Sequence, residues 1–444
     1  MVDLRAGRRK FRLQATGRRV LSCAMKPKIL TTLPGYSARL FQADLFAGIS
    51  VAMVALPLSI AIAIASGAEP GAGLITAIIG GFLISALGGS RVQIGGPTGA
   101  FIVVVYGVIA EFGYDGLVLA TLMAGVILVI AGYLRAGSLV RHIPEAVING
   151  FTIGIAIIIA TSQLRDLFGL ETGALPGEFL EKIAALWEAR ESFNSMAFLI
   201  GAVTMVLIVG LRRVAPRYPG LIVAVGVTSA AVAVWVLPVD TLYSRFGALP
   251  STLPVPGLPE VSFDRVVMLL PSALVIAFLA GVESLLSAAV ADRMTGGRYR
   301  PNAEVLANGV ANIGSALFGG MPATGAIART ATNVRAGGRT PVAGMIHALT
   351  ILLVMLLVAP LAGYFAMPAL AGLLLLTAWN MSEPQKWRGY MAEPISDKVL
   401  LVLTLVLTVL ADLTVAIGVG VALGLALRLR RRHAPEATWT PPDA

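Results

Sequence analysis

The sequence predicts an all-α integral membrane protein in which 14 membrane segments form two inverted repeats of seven. Three observations lead to this prediction. The chain is 57% hydrophobic and 13% charged, with a mean hydropathy of +0.84, whereas soluble domains carry about 25% charged residues. Basic residues recur in alternate loops, and each half of the chain holds one short segment interrupted by glycine and proline.

Most apolar stretches are long enough to cross a bilayer as helices of about 20 residues, and two are shorter. The predicted segments are 43–66, 71–89, 97–111, 116–135, 141–161, 194–211, 219–238, 267–291, 302–318, 324–335, 340–359, 364–380, 397–411 and 413–428. So many long apolar runs do not fit the core of a soluble domain, which excludes that class of protein.

Loop charge supports this count independently, because cytoplasmic loops carry the excess of Lys and Arg. With the N-terminus inside, the inner connections hold Arg91, Arg135, Arg141, Arg212, Arg213, Arg217, Arg293, Arg298, Arg300, Arg335, Arg339, Lys386 and Arg388. Arg428, Arg430, Arg431 and Arg432 lie at the end of the last predicted segment. The outer connections near 111–115, 162–193, 239–264 and 412 are acidic or neutral. The alternation predicts that both termini are cytoplasmic.

Residues 1–42 are predicted to form a basic cytoplasmic tail, in which Asp3 is the only acid before position 40. Such a tail suits anionic lipid headgroups. A nucleic-acid partner is not expected, because only Phe11 interleaves with the first basic cluster. The single cysteine, Cys23, excludes an intrachain disulfide. Met25 is an alternative start of the chain.

Two glycine- and proline-rich motifs, Gly95 to Ala100 and Gly319 to Ala326, interrupt predicted segments 3 and 10. A bilayer accepts broken helices only where the freed backbone is buried in protein or lines a cavity. Matched breaks in two halves indicate a transporter substrate site near the bilayer centre. Each break precedes a half-helix, starting near Thr98 or near Thr324. The two half-helix N-termini would meet, and their free N–H groups favour an anion.

The candidate anion-binding residues lie at these two predicted helix starts. Thr98 and Thr324 offer hydroxyl ligands, or serve only as helix N-caps. Small residues allow an anion to approach the backbone amides, or allow helices to pack closely. These small residues are Gly99, Ala100, Gly325 and Ala326.

Three charged or polar residues within predicted segments are further candidates. Glu283 is costly in a membrane segment, which indicates a function. It would carry a proton or bind Na⁺ together with Ser287, one helical turn later; a structural ion pair or hydrogen bond is the alternative. Arg329 lies one turn after the second break, where it adds positive charge to the anion site or snorkels outward to the cytoplasmic side.

Other chemistry finds no support in the sequence. His142, His347 and His433 are too few and too dispersed for a metal cluster. No Walker motif is present, and no nucleophile–base pair with an orienting partner indicates an enzyme. We therefore expect no cofactor other than a coupling ion. Asparagines within predicted segments are expected to join helices by hydrogen bonds: Asn308, Asn312 and Asn333.

Over about residues 40–430 the chain resembles the SulP (sulfate permease) family of anion transporters. The resemblance rests on Asp44 to Gly48 with Ala55-Leu56-Pro57, Gly95 to Ala100, Glu283 to Ser287 with Ala291-Asp292 and Thr295-Gly296, Gly319 to Arg329 with Gly337 to Thr340, and Asp412 to Ile417. It implies a UraA-like fold in a bacterial inner membrane. Segments 1–4 (43–136) and 8–11 (265–359) would form a core domain that carries the substrate. Segments 5–7 (137–240) and 12–14 (360–430) would form a gate domain.

The resemblance also implies elevator-type movement of core against gate and a homodimer through the gate domain. In bicarbonate-type relatives the anion is held at positions that match Thr98, Gly325, Ala326 and Ile327, and Na⁺ at positions that match Glu283 and Ser287. Those relatives have Asp at the Glu283 position, so H⁺ is the alternative here. Prestin-like members carry an arginine at the Arg329 position. Two features depart from the family: Leu58 replaces a polar residue, and the tail at 431–444 ends without a STAS domain.

Together these features predict a secondary active transporter of a small inorganic anion, sulfate or bicarbonate, coupled to Na⁺ or H⁺. An anion exchanger and an uncoupled anion channel are the alternatives within transport. A non-transporting membrane scaffold or sensor is the alternative outside it.

Overall fold

The computed structural model describes residues 25–137, 145–173, 175–215, 219–411, 419–420 and 422–424. Predicted segment 413–428 lies mostly outside the described residues, which include only 419–420 and 422–424 of it. Residues 1–24 of the basic tail and the C-terminal tail at 431–444 also lie outside them.

The described residues are mostly helical. The first half contains α1 (Ile29–Thr32), α2 (Ala38–Ala65), α3 (Pro70–Leu87, with a π-helical turn at Thr76–Gly80), α4 (Gly99–Tyr133, opening with a 3₁₀ turn at Gly99–Phe101), α5 (Glu145–Phe168), α6 (Phe179–Glu188), α7 (Ser195–Val214), α8 (Gly220–Val234) and α9 (Leu242–Phe246). The second half contains α10 (Phe263–Thr295), α11 (Pro301–Leu317), α12 (Ile327–Arg335), α13 (Pro341–Ala362), α14 (Met367–Met381), α15 (Trp387–Ala392) and α16 (Ile395–Leu410).

Seven helices of the described residues are long and apolar enough to cross a membrane: α2, α3, α4, α5, α7, α10 and α13. Helix α8 is a shorter apolar helix. Predicted segments 97–111 and 116–135 are joined in the single run α4, in which Gly113 has non-helical angles (φ 71°, ψ 179°). Glycine adopts a positive φ more readily than other residues, so Gly113 can interrupt the helix between two helical stretches.

Two short strands add to the predicted all-α fold. Strand β1 (Gly95–Gly96) pairs antiparallel with β2 (Thr324–Gly325), with Gly95 opposite Gly325 and Gly96 opposite Thr324. The N–H of Ala326 extends the pairing to the carbonyl of Ile94 at 2.8 Å. Buried backbone groups must be hydrogen-bonded, and the two helix breaks satisfy part of this requirement with each other. The pairing therefore brings the starts of α4 and α12 together.

The helices pack in two groups. Helices α2, α3 and α4 pack with α10, α11, α12 and α13. Helices α5, α7 and α8 pack with α14, and α5 also packs with α16. The prediction that asparagines join helices is confirmed for Asn308 on α11, whose Nδ2 donates to the Ala280 carbonyl on α10 at 2.7 Å. The Nδ2 atoms of Asn312 and Asn333 donate at 2.8 Å to the carbonyls of Ala323 and Val92, which lie in the segments before β2 and β1 and not in helices.

Candidate anion site

The start of α4 carries the first part of the site. Thr98 precedes the 3₁₀ turn and makes no capping bond with its side chain. The first hydrogen bond within this turn runs from the N–H of Phe101 to the carbonyl of Thr98, at 3.2 Å. The N–H groups of Gly99 and Ala100 therefore lack a partner within the helix, as expected for helix starts.

The Thr98 hydroxyl donates instead to Oε2 of Glu283 at 2.7 Å. Glu283 lies on α10 and is half-buried, and Thr98 is buried. This bond directly joins the residue predicted to bind the anion to the residue predicted to couple a cation. A threonine hydroxyl has one hydrogen, and here that hydrogen points to the carboxylate.

The second helix start differs from the prediction. Helix α12 begins at Ile327, and Thr324 lies in β2, so the expectation of a helix N-cap at Thr324 is wrong. The hydroxyl of Thr324 donates to the Ala280 carbonyl at 2.8 Å. The amide of Ala326 is used in the strand pairing. Because the N–H of Thr330 bonds to the Ala326 carbonyl, the free amides of α12 begin at Ile327.

Gly325 occupies the alternate position in this pairing. Hydrogen-bonded and non-hydrogen-bonded pairs alternate in an antiparallel ladder. The bond between Ala326 and Ile94 therefore places Gly325 and Gly95 in a non-hydrogen-bonded pair, with the Gly325 N–H directed away from β1. A Cβ atom at Gly325 would lie 1.8 Å from Nε2 of Gln93, so close packing excludes any larger residue there.

Arg329 is buried in the first turn of α12, with 1% of its surface exposed. Its Nη2 donates to Ser59 Oγ at 3.0 Å and to the Pro97 carbonyl at 3.1 Å. Nε and Nη1 have no hydrogen-bond partner among the described residues. The alternative that Arg329 snorkels outward is therefore wrong. A Cβ at Gly96, whose φ is +150°, would lie 2.2 Å from Nη1.

Ser287 lies one turn after Glu283 and is fully buried. Its Oγ is 3.1 Å from Oγ1 of Thr330, which also accepts the N–H of Ile94 at 3.1 Å. This link ties α10 to α12 and to the residue before β1. The Glu283 carboxylate and the Ser287 hydroxyl are the hard oxygen donors that small cations prefer. Within the described ranges, no group of three or more His, Cys, Asp or Glu residues is placed to hold a metal ion.

A second buried carboxylate was missed in the sequence. Glu304 on α11 is fully buried, and its Oε2 accepts the N–H groups of Gly89 and Ser90 at 2.7 and 2.9 Å. Its Oε1 is 3.4 Å from Oγ of Ser284, which accepts from Gln93 at 2.8 Å. The signal was an acid within predicted segment 302–318, the same signal that singled out Glu283.

The start of α4 faces the other group of helices. A Cβ at Gly99 would lie 2.9 Å from Sδ of Met381, at the end of α14, and 3.5 Å from Cδ1 of Ile159 on α5. Helices from the two groups therefore meet at this helix start. The site combines free amides, a hydroxyl, a carboxylate and a buried guanidinium, which together suit a small anion accompanied by a cation.

A sequence profile of the sulfate permease family matches residues 41–404. The chain belongs to this family. The Bacillus subtilis protein named "Putative sulfate transporter YvdB" is 43% identical over 381 residues, which are 85% of this chain and 72% of that one. The "Bicarbonate transporter BicA" of Picosynechococcus sp. is 32% identical over 391 residues, covering 84% of this chain and 68% of the relative.

Solved structures share this fold. The transmembrane domain of a cyanobacterial bicarbonate transporter BicA is 30% identical, with a TM-score of 0.77, and the match covers 87% of this chain and 98% of that one. SLC26A9 has a TM-score of 0.84 at 17% identity, covering 94% and 70%. The chain is thus a multi-pass membrane transporter of the sulfate permease family and not an enzyme.

Proposed function

We propose that the protein is a secondary active transporter of sulfate or bicarbonate and that the anion binds between the starts of α4 and α12. The observation that supports this most is the bond from Thr98 to Glu283, beside the free amides of Gly99 and Ala100. Free N–H groups at helix starts favour anions. Relatives at 43% and 32% identity are named for sulfate and bicarbonate transport.

The Thr98 hydrogen provides a coupling mechanism. While Glu283 is ionised and unoccupied, its carboxylate takes the single hydroxyl hydrogen of Thr98, whose oxygen then presents only lone pairs to an arriving anion. A proton or Na⁺ on Glu283 weakens that hydrogen bond and frees the hydroxyl to donate to the anion. Each ion thereby raises the affinity for the other, because such coupling is reciprocal.

Arg329 contributes fixed positive charge to the same region. Its guanidinium holds the carbonyl of Pro97, directly before Thr98, and keeps β1 in place. This charge also supports a second candidate function, anion exchange. A resident cation lowers the cost of burying an anion, so exchange would not require ion binding at Glu283.

We also propose the complete 14-segment architecture, with core domain 43–136 and 265–359 and gate domain 137–240 and 360–430. The packing of α2–α4 with α10–α13, and of α5, α7 and α8 with α14, supports this division. Elevator-type movement would slide one group against the other at Gly99. Cytoplasmic termini, a homodimer through the gate domain and a bacterial inner-membrane location are part of the same proposal.

Flux in proteoliposomes tests the function. Labelled sulfate and labelled bicarbonate are offered separately under an imposed Na⁺ or proton gradient. We expect one anion to accumulate against its own gradient, and Glu283→Gln to abolish that accumulation. Exchange against internal anion with no response to either gradient would replace the coupled mechanism by the exchanger. Absence of flux for both anions would refute the proposed function.

A further inference from the structure

Helix α6 holds a lysine in an unusual position. Lys182 is only 4% exposed, whereas Leu180, Ile183 and Trp187 on the same helix are 66%, 44% and 68% exposed. The three apolar side chains follow the i, i+3, i+7 spacing of one helix face. A helix lying at a membrane interface turns such a face to the lipid. Helix α6 therefore directs its ammonium group into the protein, where burial of a charge is costly.

The described residues around Lys182 supply no counter-ion for its charge. Its Nζ is 3.3 Å from Ser162 Oγ and 5.2 Å from the centre of the Tyr106 ring. It forms no ion pair within the described residues. Burial lowers the pKa of this ammonium, and no carboxylate opposes that shift. An ammonium group has three donors, and one hydroxyl and an aromatic face do not fill them.

A second cation lies on the same helix as Ser162. Arg165 follows Ser162 by three residues on α5, so both occupy one helix face. Its Nη2 is 3.4 Å from the Thr172 carbonyl, and its buried Nε has no partner among the described residues. By contrast, Arg245 on the neighbouring helix α9 is paired with Asp166 at 2.5 Å and with Asp240 at 2.7 Å.

Tyr106 connects this place to the candidate anion site. It lies on α4, the helix that begins at Gly99, and its hydroxyl donates to the carbonyl of Leu175. At 1.5 Å per residue, Tyr106 is about 12 Å along the helix from Thr98. Loop 162–193, which carries α6, is the connection that the charge pattern predicts to be outside. Lys182 therefore lies on the predicted outer side of the protein, against the same helix that begins at the candidate anion site.

We propose that Lys182 and Arg165 form a second anion site, on the predicted outer side of Thr98 and against Tyr106 of α4. It binds a small oxyanion before the anion reaches Thr98. The unfilled donors of the buried Lys182 ammonium and the buried Nε of the half-buried Arg165 are the groups that an oxyanion accepts from. The route that the anion follows rests on the proposed function, whereas binding at this site does not.

The test uses the full chain with Lys182→Gln, Lys182→Arg and a matched control, Arg190→Gln. Arg190 lies just beyond α6, is 53% exposed, pairs with Glu191 at 4.0 Å and lies over the ring of Trp187. Loss of one charge-assisted hydrogen bond, about 1.5 kcal/mol, corresponds to about a tenfold weaker affinity. We expect Lys182→Gln to raise KM for external labelled sulfate or bicarbonate about tenfold with little change in maximal rate. Lys182→Arg and Arg190→Gln should stay close to wild type.

Two measurements distinguish an anion site from a contact that only closes the outer surface. Tyr106→Phe removes the bond to Leu175 but keeps the aromatic face, so it should leave KM unchanged. If it reproduces the effect of Lys182→Gln, these residues form a closing contact and not an anion site. Thermal stabilisation of purified protein by sulfate gives a readout without transport. Lys182→Gln should reduce it relative to Arg190→Gln, and equal stabilisation of the two variants would overturn the proposal even if no flux were found.

Discussion

Replacing Thr98 by valine removes one hydroxyl and preserves the side-chain shape. The hydroxyl donates to Glu283 Oε2 at 2.7 Å in a buried position. A hydrogen bond to a charged group contributes about 1.5–3 kcal/mol, and 1.4 kcal/mol corresponds to a factor of ten. In the proposed mechanism this hydroxyl serves the carboxylate in one state and the anion in the other. We therefore expect Thr98→Val to lower kcat/KM for gradient-driven uptake about 10- to 150-fold.

The matched control is Thr324→Val, in which the same group is removed from strand β2. That hydroxyl donates to the neutral carbonyl of Ala280, and within the described part of the chain it makes no hydrogen bond to a carboxylate. A neutral hydrogen bond contributes about 1 kcal/mol of stability, so the control should lower thermal stability slightly and leave kcat/KM within about threefold. Both variants are assayed by initial uptake rates at equal reconstituted protein. Equal losses of uptake in the two variants would refute the special role given to Thr98.

Three further substitutions test other parts of the structure. Glu304→Gln should lower stability by about 1–3 kcal/mol, because its carboxylate accepts two backbone N–H groups in a buried site; unchanged thermal unfolding would contradict this. Gly96→Ala should abolish uptake, because its Cβ would lie 2.2 Å from Arg329 Nη1, whereas Gly107→Ala meets no atom within 4 Å and should behave as wild type. Arg329→Lys should reduce uptake at least tenfold, because one ammonium does not reproduce the planar guanidinium. Uptake near wild type would show that the planar set of guanidinium donors is not needed.

The first half of the site was largely predictable from sequence. Glycine and proline at 95–99 indicate a break, and an acid within a membrane segment indicates a function. These rules selected Thr98, Gly99 and Glu283 independently, and the structure joins Thr98 to Glu283. Resemblance to the family added the expectation that both residues serve one transport cycle.

The part of the site around β2 and α12 was less predictable. A hydrophobic pattern gives the position of a segment along the chain but not the residues that it contacts. Strands of two residues show no alternation of apolar and polar residues, so nothing in the sequence indicated that β1 pairs with β2. For the same reason it did not indicate that the Ala326 N–H is hydrogen-bonded in this pairing. The Arg329 side chain points inward and donates to Ser59, a residue far away in the sequence, so its orientation could not be read from the local pattern. Glu304 could have been found, because it is an acid within predicted segment 302–318. Met381 and Ile159 look like ordinary apolar residues until packing brings them to Gly99.

Equilibrium binding of labelled anion to the purified protein tests the central claim most directly. The affinity is measured with and without Na⁺ and over a range of pH, for wild type and for Glu283→Gln. We predict that Na⁺ or protons tighten anion binding to wild type and have no effect on the variant. Anion affinity that is independent of both cations in wild type, or that responds equally in the variant, would contradict coupling through Thr98 and Glu283.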